Sequence, residues 1–521
     1  MTTNCFVRPI AIITKTSWLH FQTLIIGIMK LANNILIITF MLLFCLKLDA
    51  QTNNISYKAN ENLLIPLMKN NKIVGYTFVY KLDQVSKDTD SYAISIYDEN
   101  LYNLGEKKIN IKNDFSFDAA SYCGDEYLLK FVSKKKGINY IMFDQQAKKT
   151  MDTTILYQPD IITNDFDFKH FQSNEIFPIS DLGVVENLVV KTKNGLRYAT
   201  IFISKAHKVV VNDFISNSRT ENMQILFCNK EVVLRAIYEK AHTGHNLFHT
   251  KIEILSTLEL IPKGKYQFPI DVTYYPISAD YKNGQVEIIS QYNYRLGKYS
   301  TLKYGLSNTT ITNGGNFIKE EKNELTQSLI SDSVAKRNKL IQHAYPYFHL
   351  AQKLPDGNWL LAFETVQRTK NNIRIRFNNK IVYAKSNIGL MELNSKCEVL
   401  RTYVENVKKT YRVVHTDYTR QPHMGVLSIQ NHQGDDFRFF MQGESNLEYA
   451  FVYLNYNNTL TRKTLGNIVY TAGEFSSDHY ALPKPTSTNY YVFPISFKNC
   501  LMIEIDKTKN SFDINKIKFT N

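Results

Sequence analysis

No CxxC pair occurs anywhere in this sequence, and four of its six cysteines, Cys123, Cys228, Cys397 and Cys500, are each more than a hundred residues from the next. That spacing argues against a structural zinc site or a thioredoxin-type centre. Each sits in or beside an apolar, strand-like run such as Ile225-Leu226-Phe227-Cys228, so the four read as buried free thiols. One long-range disulfide in an oxidising compartment is the alternative, and its pairing is open. A G-x-S-x-G elbow is missing, so a hydrolase triad has no nucleophile to anchor it. A P-loop, a dinucleotide GxGxxG and an EF-hand loop are missing too, and nothing implies a cofactor. Glycine and proline are modest in number, at 21 and 13.

Apolar runs are short. The longest extends from Ile35 to Leu46, broken only by Thr39, against the roughly 20 residues that a membrane-spanning helix needs. Lys30 precedes it, and Leu48 and Ala50 flank a cut before Gln51. A positive stretch, a greasy stretch and a small residue at the cut make a secretory signal over residues 29–50. The mature protein is therefore expected to be secreted or periplasmic, with no stable membrane span after cleavage. A retained anchor is the alternative, kept open by Lys47 and Asp49. Residues 1–28 have no clear role ahead of a signal and read as a gene-model extension upstream of a start at Met29. A genuine leader is the other possibility.

Residues 51–521 form the expected single domain. The formal charge of the whole chain is +14; four Lys/Arg and one Asp lie in residues 1–50, which leaves +11 on the mature chain. An acidic polysaccharide or lipopolysaccharide would suit that excess. A thin, even spread of lysines explains it without any ligand, and no nucleic-acid partner is expected. Lys134-Lys135-Lys136 beside Gly137 fits a solvated hairpin turn. Tyr and Phe are abundant, at 33 and 31, and both favour the half-buried surface of a sheet.

One pattern recurs along the chain. An alternating apolar strand ends in Asp or Asn, polar residues follow, and a new strand begins. Ile94–Tyr97 runs into Asp98, Tyr140–Phe143 into Asp144, Leu390–Leu393 into Asn394, Phe451–Leu454 into Asn455, and Met502–Ile505 into Asp506. Weaker copies fall near Ser204 and Ser256, and Asn194-Gly195 and Asn283-Gly284 mark hairpins. Repeats at such spacing predict an all-β, β-propeller-like fold of about seven or eight four-stranded blades. Pro355–Leu361 reads as the start of an inner strand containing Trp359. Glu320–Ala344 has apolar residues on one helical face and no Gly or Pro, which predicts one inserted helix near 320–344.

The signal ending Leu48-Asp49-Ala50, the strand Gly75-Tyr76-Thr77-Phe78 and the turn Tyr97-Asp98-Glu99-Asn100-Leu101 give the chain a resemblance to uncharacterised secreted proteins of Bacteroidetes-type bacteria. The resemblance covers most of residues 55–521. It implies a secreted, propeller-like protein and brings no activity, substrate or catalytic residue.

Candidate sites are few. His242, His245 and His249 form the one histidine cluster, and their spacing could bring imidazoles to a metal. Solvated turn residues are the simpler explanation. His415 and Asp417, with His423 and His432 nearby, form a looser set. Asp435-Asp436 and Asp165/Asp167 are paired carboxylates, but sequence neighbours on a strand point to opposite faces, so Asp435 and Asp436 could not both face one substrate there. The expected function is a secreted or periplasmic ligand- or protein-binding propeller, its partner an envelope protein or a glycan. A carbohydrate-active hydrolase or lyase on the same scaffold and an outer-membrane β-barrel are the alternatives.

Overall fold

The computed structural model describes residues 63–69, 72–123, 125–133, 136–156, 176–179, 181–192, 195–215, 220–240, 248–294, 303–325, 344–368, 380–405, 410–415, 437–457, 462–485, 489–506 and 511–519. They hold strands and turns and no helix, so none is long and apolar enough to cross a membrane.

The strands fall into eight antiparallel sheets taken in chain order. Blade 1 is β1 (Leu63–Lys69), β2 (Lys72–Ser86), β3 (Thr89–Tyr97) and β4 (Asn103–Lys112). Blade 2 is β5 (Phe115–Cys123), β6 (Glu126–Ser133), β7 (Gly137–Phe143) and β8 (Lys149–Leu156). Blade 3 is β9 (Ile176–Ile179), β10 (Gly183–Thr192), β11 (Gly195–Ser204) and β12 (Val209–Ile215). Blade 4 is β13 (Thr220–Cys228), β14 (Val232–Lys240), β15 (Phe248–Ser256) and β16 (Pro262–Gln267). Blade 5 is β17 (Thr273–Lys282), β18 (Gln285–Tyr294), β19 (Lys303–Thr312) and β20 (Phe317–Glu324). Blade 6 is β21 (Ala344–Lys353), β22 (Trp359–Arg368), β23 (Lys380–Leu393) and β24 (Val399–Glu405), with β25 (Thr410–His415) added along the first half of β23. Blade 7 is β26 (Phe437–Gln442), β27 (Glu448–Asn457), β28 (Arg462–Thr471) and β29 (Glu474–Pro485). Blade 8 shows β30 (Asn489–Ser496), β31 (Asn499–Asp506) and β32 (Ser511–Lys518). First strands are innermost: β1 lies beside β5, β5 beside β9, β13 beside β17, β17 beside β21, β26 beside β30, and β30 beside β1. The ring closes, and the fold is an eight-bladed β-propeller.

Burial explains why these segments are strands. Middle strands are covered on both faces, because each blade is pressed between two others. β3 and β6 are buried along nearly their whole length, whereas the outer strands β4 and β20 are mostly exposed. Continuous apolar runs therefore mark second and third strands, and charge-rich runs mark outer ones. Apolar clusters fill all eight gaps, such as Leu129 with Ile94 between blades 1 and 2, or Leu390 with Phe451 between blades 6 and 7. Each fully buried Leu or Ile stabilises the closed ring by about 1.5–3 kcal/mol.

The recurring turn is real and has one geometry. The Oδ1 atom of Asp98 accepts the N–H groups of Asn100 and Tyr102, Asp144 those of Gln146 and Lys148, and Asn394 those of Lys396 and Glu398. The residue two positions before the fourth strand is left-handed in each: Leu101 (φ 68°), Ala147 (φ 58°) and Cys397 (φ 62°). Ser204 and Thr312 use their hydroxyls for the same N–H four residues on. Asn283-Gly284 (φ 55° and 74°) closes a two-residue hairpin between β17 and β18.

Four expectations need correction. Asn455 and Asp506 do not belong to the recurring turn, because both lie in second strands, β27 and β31. Trp359 begins a strand as expected and its ring is buried between blades 5 and 6, but that strand, β22, is second in its blade rather than innermost. The inserted helix is not found: Glu320–Glu324 belong to β20 and Ala344 begins β21, while 326–343 lie outside the described residues. The run Phe317–Glu324 is an outer strand held by its ladder to β19, so it needs little apolar pattern of its own. An outer-membrane barrel would need one closed sheet; the described strands make eight separate ones.

In blades 5 to 7 a glycine on the third strand faces an aromatic ring on the second: Gly305 opposite Tyr292, Gly389 opposite Phe363, and Gly466 opposite Tyr453. A Cβ at any of these glycines would overlap the ring, so the missing side chain is what lets the aromatic lie flat on the sheet.

Polar groups tie particular blades together. Lys130 of β6, almost fully buried, lies 2.9 Å from Glu186 of blade 3 and 3.0 Å from Asp118 on β5. Tyr140 also donates to Glu186. Burial alone would pull the Lys130 ammonium down, but Glu186 and Asp118 hold it above the usual lysine range. Arg235 of β14 crosses to blade 3, donating to Thr200 Oγ1 (2.8 Å) and Asn212 Oδ1 (2.9 Å), and grips Glu253 on its own sheet at 2.8 Å. Between the outer strands of blades 6 and 7, Tyr403 Oη donates to Glu405 Oε2 (3.0 Å) and lies 2.6 Å from Ser477 Oγ. His479 Nε2 stands 3.4 Å from Glu405 Oε1 and 3.0 Å from Tyr453 Oη.

Two outcomes follow from these seams. Lys130→Met leaves Glu186 facing Asp118 without a cation and is expected to lower unfolding stability by about 3–5 kcal/mol in urea titrations. Adding Glu186→Gln should recover part of that loss, and a single variant as stable as the wild type would refute the account. The hydrogen bond to Glu405 raises the pKa of His479, and the same bond lowers that of Glu405. The pair therefore contributes fully between the ordinary values of 4.5 and 6.5. Its contribution is lost as pH rises through the raised His479 value and as pH falls through the lowered Glu405 value. The stability difference between wild type and His479→Gln should be largest between about pH 4.5 and 6.5 and shrink on either side; a difference that does not change with pH would contradict it.

Candidate functional site

Antiparallel order sends the first-to-second and third-to-fourth turns of every blade to one end of the ring. At that end the connections are short, and there a groove of about 880 Å³ runs across the turns of blades 5, 6 and 7. Three hairpins build it. The β17–β18 hairpin supplies Asp280, Lys282, Gln285 and Glu287. The β21–β22 hairpin supplies Lys353, Asp356 and Asn358, and the β26–β27 hairpin Gln442, Asn446 and Tyr449.

Blade 6 and blade 7 form a wall whose side chains are already fixed. Lys353 Nζ sits 2.5 Å from Glu287 Oε2 and 4.7 Å from the centre of the Trp359 ring, so its charge is held by a carboxylate and an aromatic face together. Asp356 accepts the Asn358 N–H (3.0 Å) and its side-chain amide (2.9 Å), and that amide also donates to buried Glu392 (2.9 Å). Gly357, with φ 89°, allows the tight turn this requires. Gln442 donates to Asn446 Oδ1 (2.7 Å) and Tyr449 Oη to the Asn446 carbonyl (3.1 Å), while Tyr449 stacks on Phe440 with ring centres 5.3 Å apart. Burial raises the Tyr449 pKa, which keeps the phenol a donor.

Blade 5 forms the opposite wall, and apart from Glu287, held by Lys353, it differs in kind. Asp280, half-buried, and Lys282 and Gln285, both exposed, make no hydrogen bond or ion pair among the described residues. The groove thus pairs a fixed wall with a free one. Its carboxylates outnumber its ammonium groups, three to two, on a chain whose net charge is +14.

His249 lies half-buried in β15, opposite Glu239 of β14, far from this groove in the chain order. His242 and His245 lie outside the described residues, as do Asp417, His423, His432 and both aspartate pairs; His415 ends β25. Among the described residues no group of three His, Cys, Asp or Glu could hold a metal ion. The four cysteines are free, and burial pushes their thiols up to about 12, which leaves them unreactive at neutral pH. Sequence reasoning marked Asn283-Gly284 as a hairpin and Pro355–Leu361 as the start of an inner strand, and did not connect them. Nothing local joins segments some 70 residues apart; only the ring does.

Comparison with known proteins adds the fold's company and no activity. No curated protein matches the sequence. The WD40 domain of SCAP from fission yeast shares 8% identity at a TM-score of 0.36, over 88% of this chain and 98% of that one. The polysaccharide lyase Uly1 shares 10% identity at a TM-score of 0.38, over 77% and 89%. Hydrazine synthase of Kuenenia stuttgartiensis shares 10% identity at 0.32, over 75% and 92%. Likenesses this remote carry no argument about what the groove does. The match that places the chain runs over residues 29–519, and by it the protein belongs to the family of unknown function DUF6770.

Proposed function

We propose that the protein is an exported binding module of the cell envelope and that the groove across blades 5, 6 and 7 is its binding site. The observation that carries this is the contrast between the groove's walls. Asp356, Asn358 and Lys353 are held in place before any ligand arrives, which cuts the ordering cost of association, whereas Asp280 and Gln285 are free to close on a ligand. The groove's volume falls in the range of ligand sites. A glycan or a segment of an envelope protein is the partner class. Export rests on the signal over residues 29–50, cut after Ala50.

The groove is not arranged for glycoside hydrolysis, which needs two carboxyl groups able to act across a sugar. Glu287 is paired with Lys353 and Asp356 with Asn358, so among the described groove carboxylates Asp280 alone is uncommitted.

A photo-crosslinking residue in place of Gln285 should give discrete adducts with the envelope fraction, and the same residue in place of exposed Leu104 on the rim of blade 1 should give none. Equal adducts at both positions, or none at the groove, would remove the groove as the site. N-terminal sequencing of the exported protein should begin at Gln51; a chain that keeps residues 29–50 and stays with the membrane would overturn the cleaved signal.

A further inference from the structure

We infer that the ligand of this groove is a neutral polyhydroxylated chain, an oligosaccharide without carboxylate or sulfate groups. The inference rests on the groove being the binding site.

The lining chemistry is the first argument. Six amide side chains border the groove: Asn283, Gln285, Gln352, Asn358, Gln442 and Asn446. An amide presents two donors and an acceptor, and a sugar hydroxyl both donates and accepts, so an amide matches vicinal hydroxyls without a charge on either side. Gln352, Asn358 and Gln442 already spend amide N–H groups on Lys353, Asp356, Glu392 and Asn446, while Asn283 and Gln285 keep whole amides for a ligand among the described residues. Carboxylates such as Asp280 serve the same purpose, accepting from two neighbouring hydroxyls.

Electrostatics is the second. The protein as a whole is basic, yet in the groove acidic groups outnumber basic ones. Of its two lysines, Lys353 is neutralised by Glu287 at 2.5 Å, which leaves Lys282 at the exposed mouth. An anionic polymer drawn in by the general positive field would meet Asp280 and Asp356 with one free cation to offset them, an arrangement that repels it. A neutral chain meets no such barrier.

Shape is the third. The groove is an open trough over three blades rather than a closed cavity, and Trp359, the largest ring beside it, is 1% exposed with Lys353 lying over its face. Recognition therefore runs through hydrogen bonds to the edges of the sugar instead of stacking on its face.

The test uses the full chain, titrated by calorimetry with cello-, xylo-, manno- and N-acetylchito-oligosaccharides, and with oligogalacturonate, alginate oligosaccharides and heparin fragments as anionic counterparts. Asp280→Ala and Gln285→Ala are the variants, because among the described residues neither side chain has a partner and the unfolding midpoint should not move. At least one neutral series should bind while the anionic series do not. Asp280→Ala should weaken that binding about tenfold and Gln285→Ala about three- to tenfold, as expected for losing one charged and one neutral hydrogen bond. Absence of binding to every neutral series overturns the inference. Anionic oligosaccharides that bind and are weakened or strengthened by the two variants would also overturn it, while leaving the groove as the site. Neutral binding that both variants leave unchanged would remove the groove itself.

Discussion

Every sheet in this protein depends on having a neighbour on each side. A second strand such as β6, with Leu128 facing blade 3 and Leu129 facing blade 1, has no solvent face to offer. A lone blade would expose apolar surface on both sides, and a row of blades would expose it at both ends. Closure into a ring removes the ends, and the contact between Tyr76 of blade 1 and the Pro494 carbonyl of blade 8, at 2.7 Å beside the cluster holding Leu501 and Ile503, is where that closure is completed. Eight sheets are stable here because ring closure leaves none at the end of a row.

Apolar packing alone would let blades exchange places, since Leu, Ile and Tyr fill all eight gaps. The buried polar bridges make the gaps unlike one another. Lys130 is satisfied only where Glu186 and Asp118 flank it, Arg235 only where Thr200 and Asn212 face it, and the gap between blades 6 and 7 is matched by Glu405 with His479. Each bridge needs its partner at one position, so a misplaced blade would bury an unpaired charge.

The propeller was legible because its turns are. Asp98, Asp144 and Asn394 show in the sequence what they do in the structure, capping a hairpin and placing a left-handed residue three positions later. The same signal misled at Asn455 and Asp506, where an Asn or Asp follows an apolar second strand and nothing in the local sequence distinguishes second from third. The helix expected near 320–344 failed for a related reason. An outer strand is held by hydrogen bonds on one side and water on the other, so Phe317–Glu324 carries no period, and the expected helix was read from apolar residues after it, of which those from 326 to 343 lie outside the described residues. The groove could not be read at all. Its parts are a carboxylate on one hairpin, an amide on a second and a phenol on a third, and what unites them is the curvature of the ring, which no spacing in the chain encodes.

Because the groove is walled by three separate blades, whatever fills it is joined to two seams at once. A molecule that grips Asp280 on one side and Asn446 on the other spans the gaps on either flank of blade 6. Occupancy would then act as a keystone, making the sixth sheet harder to spring loose, and any loosening of that sheet would in turn be felt as a weaker hold on the guest.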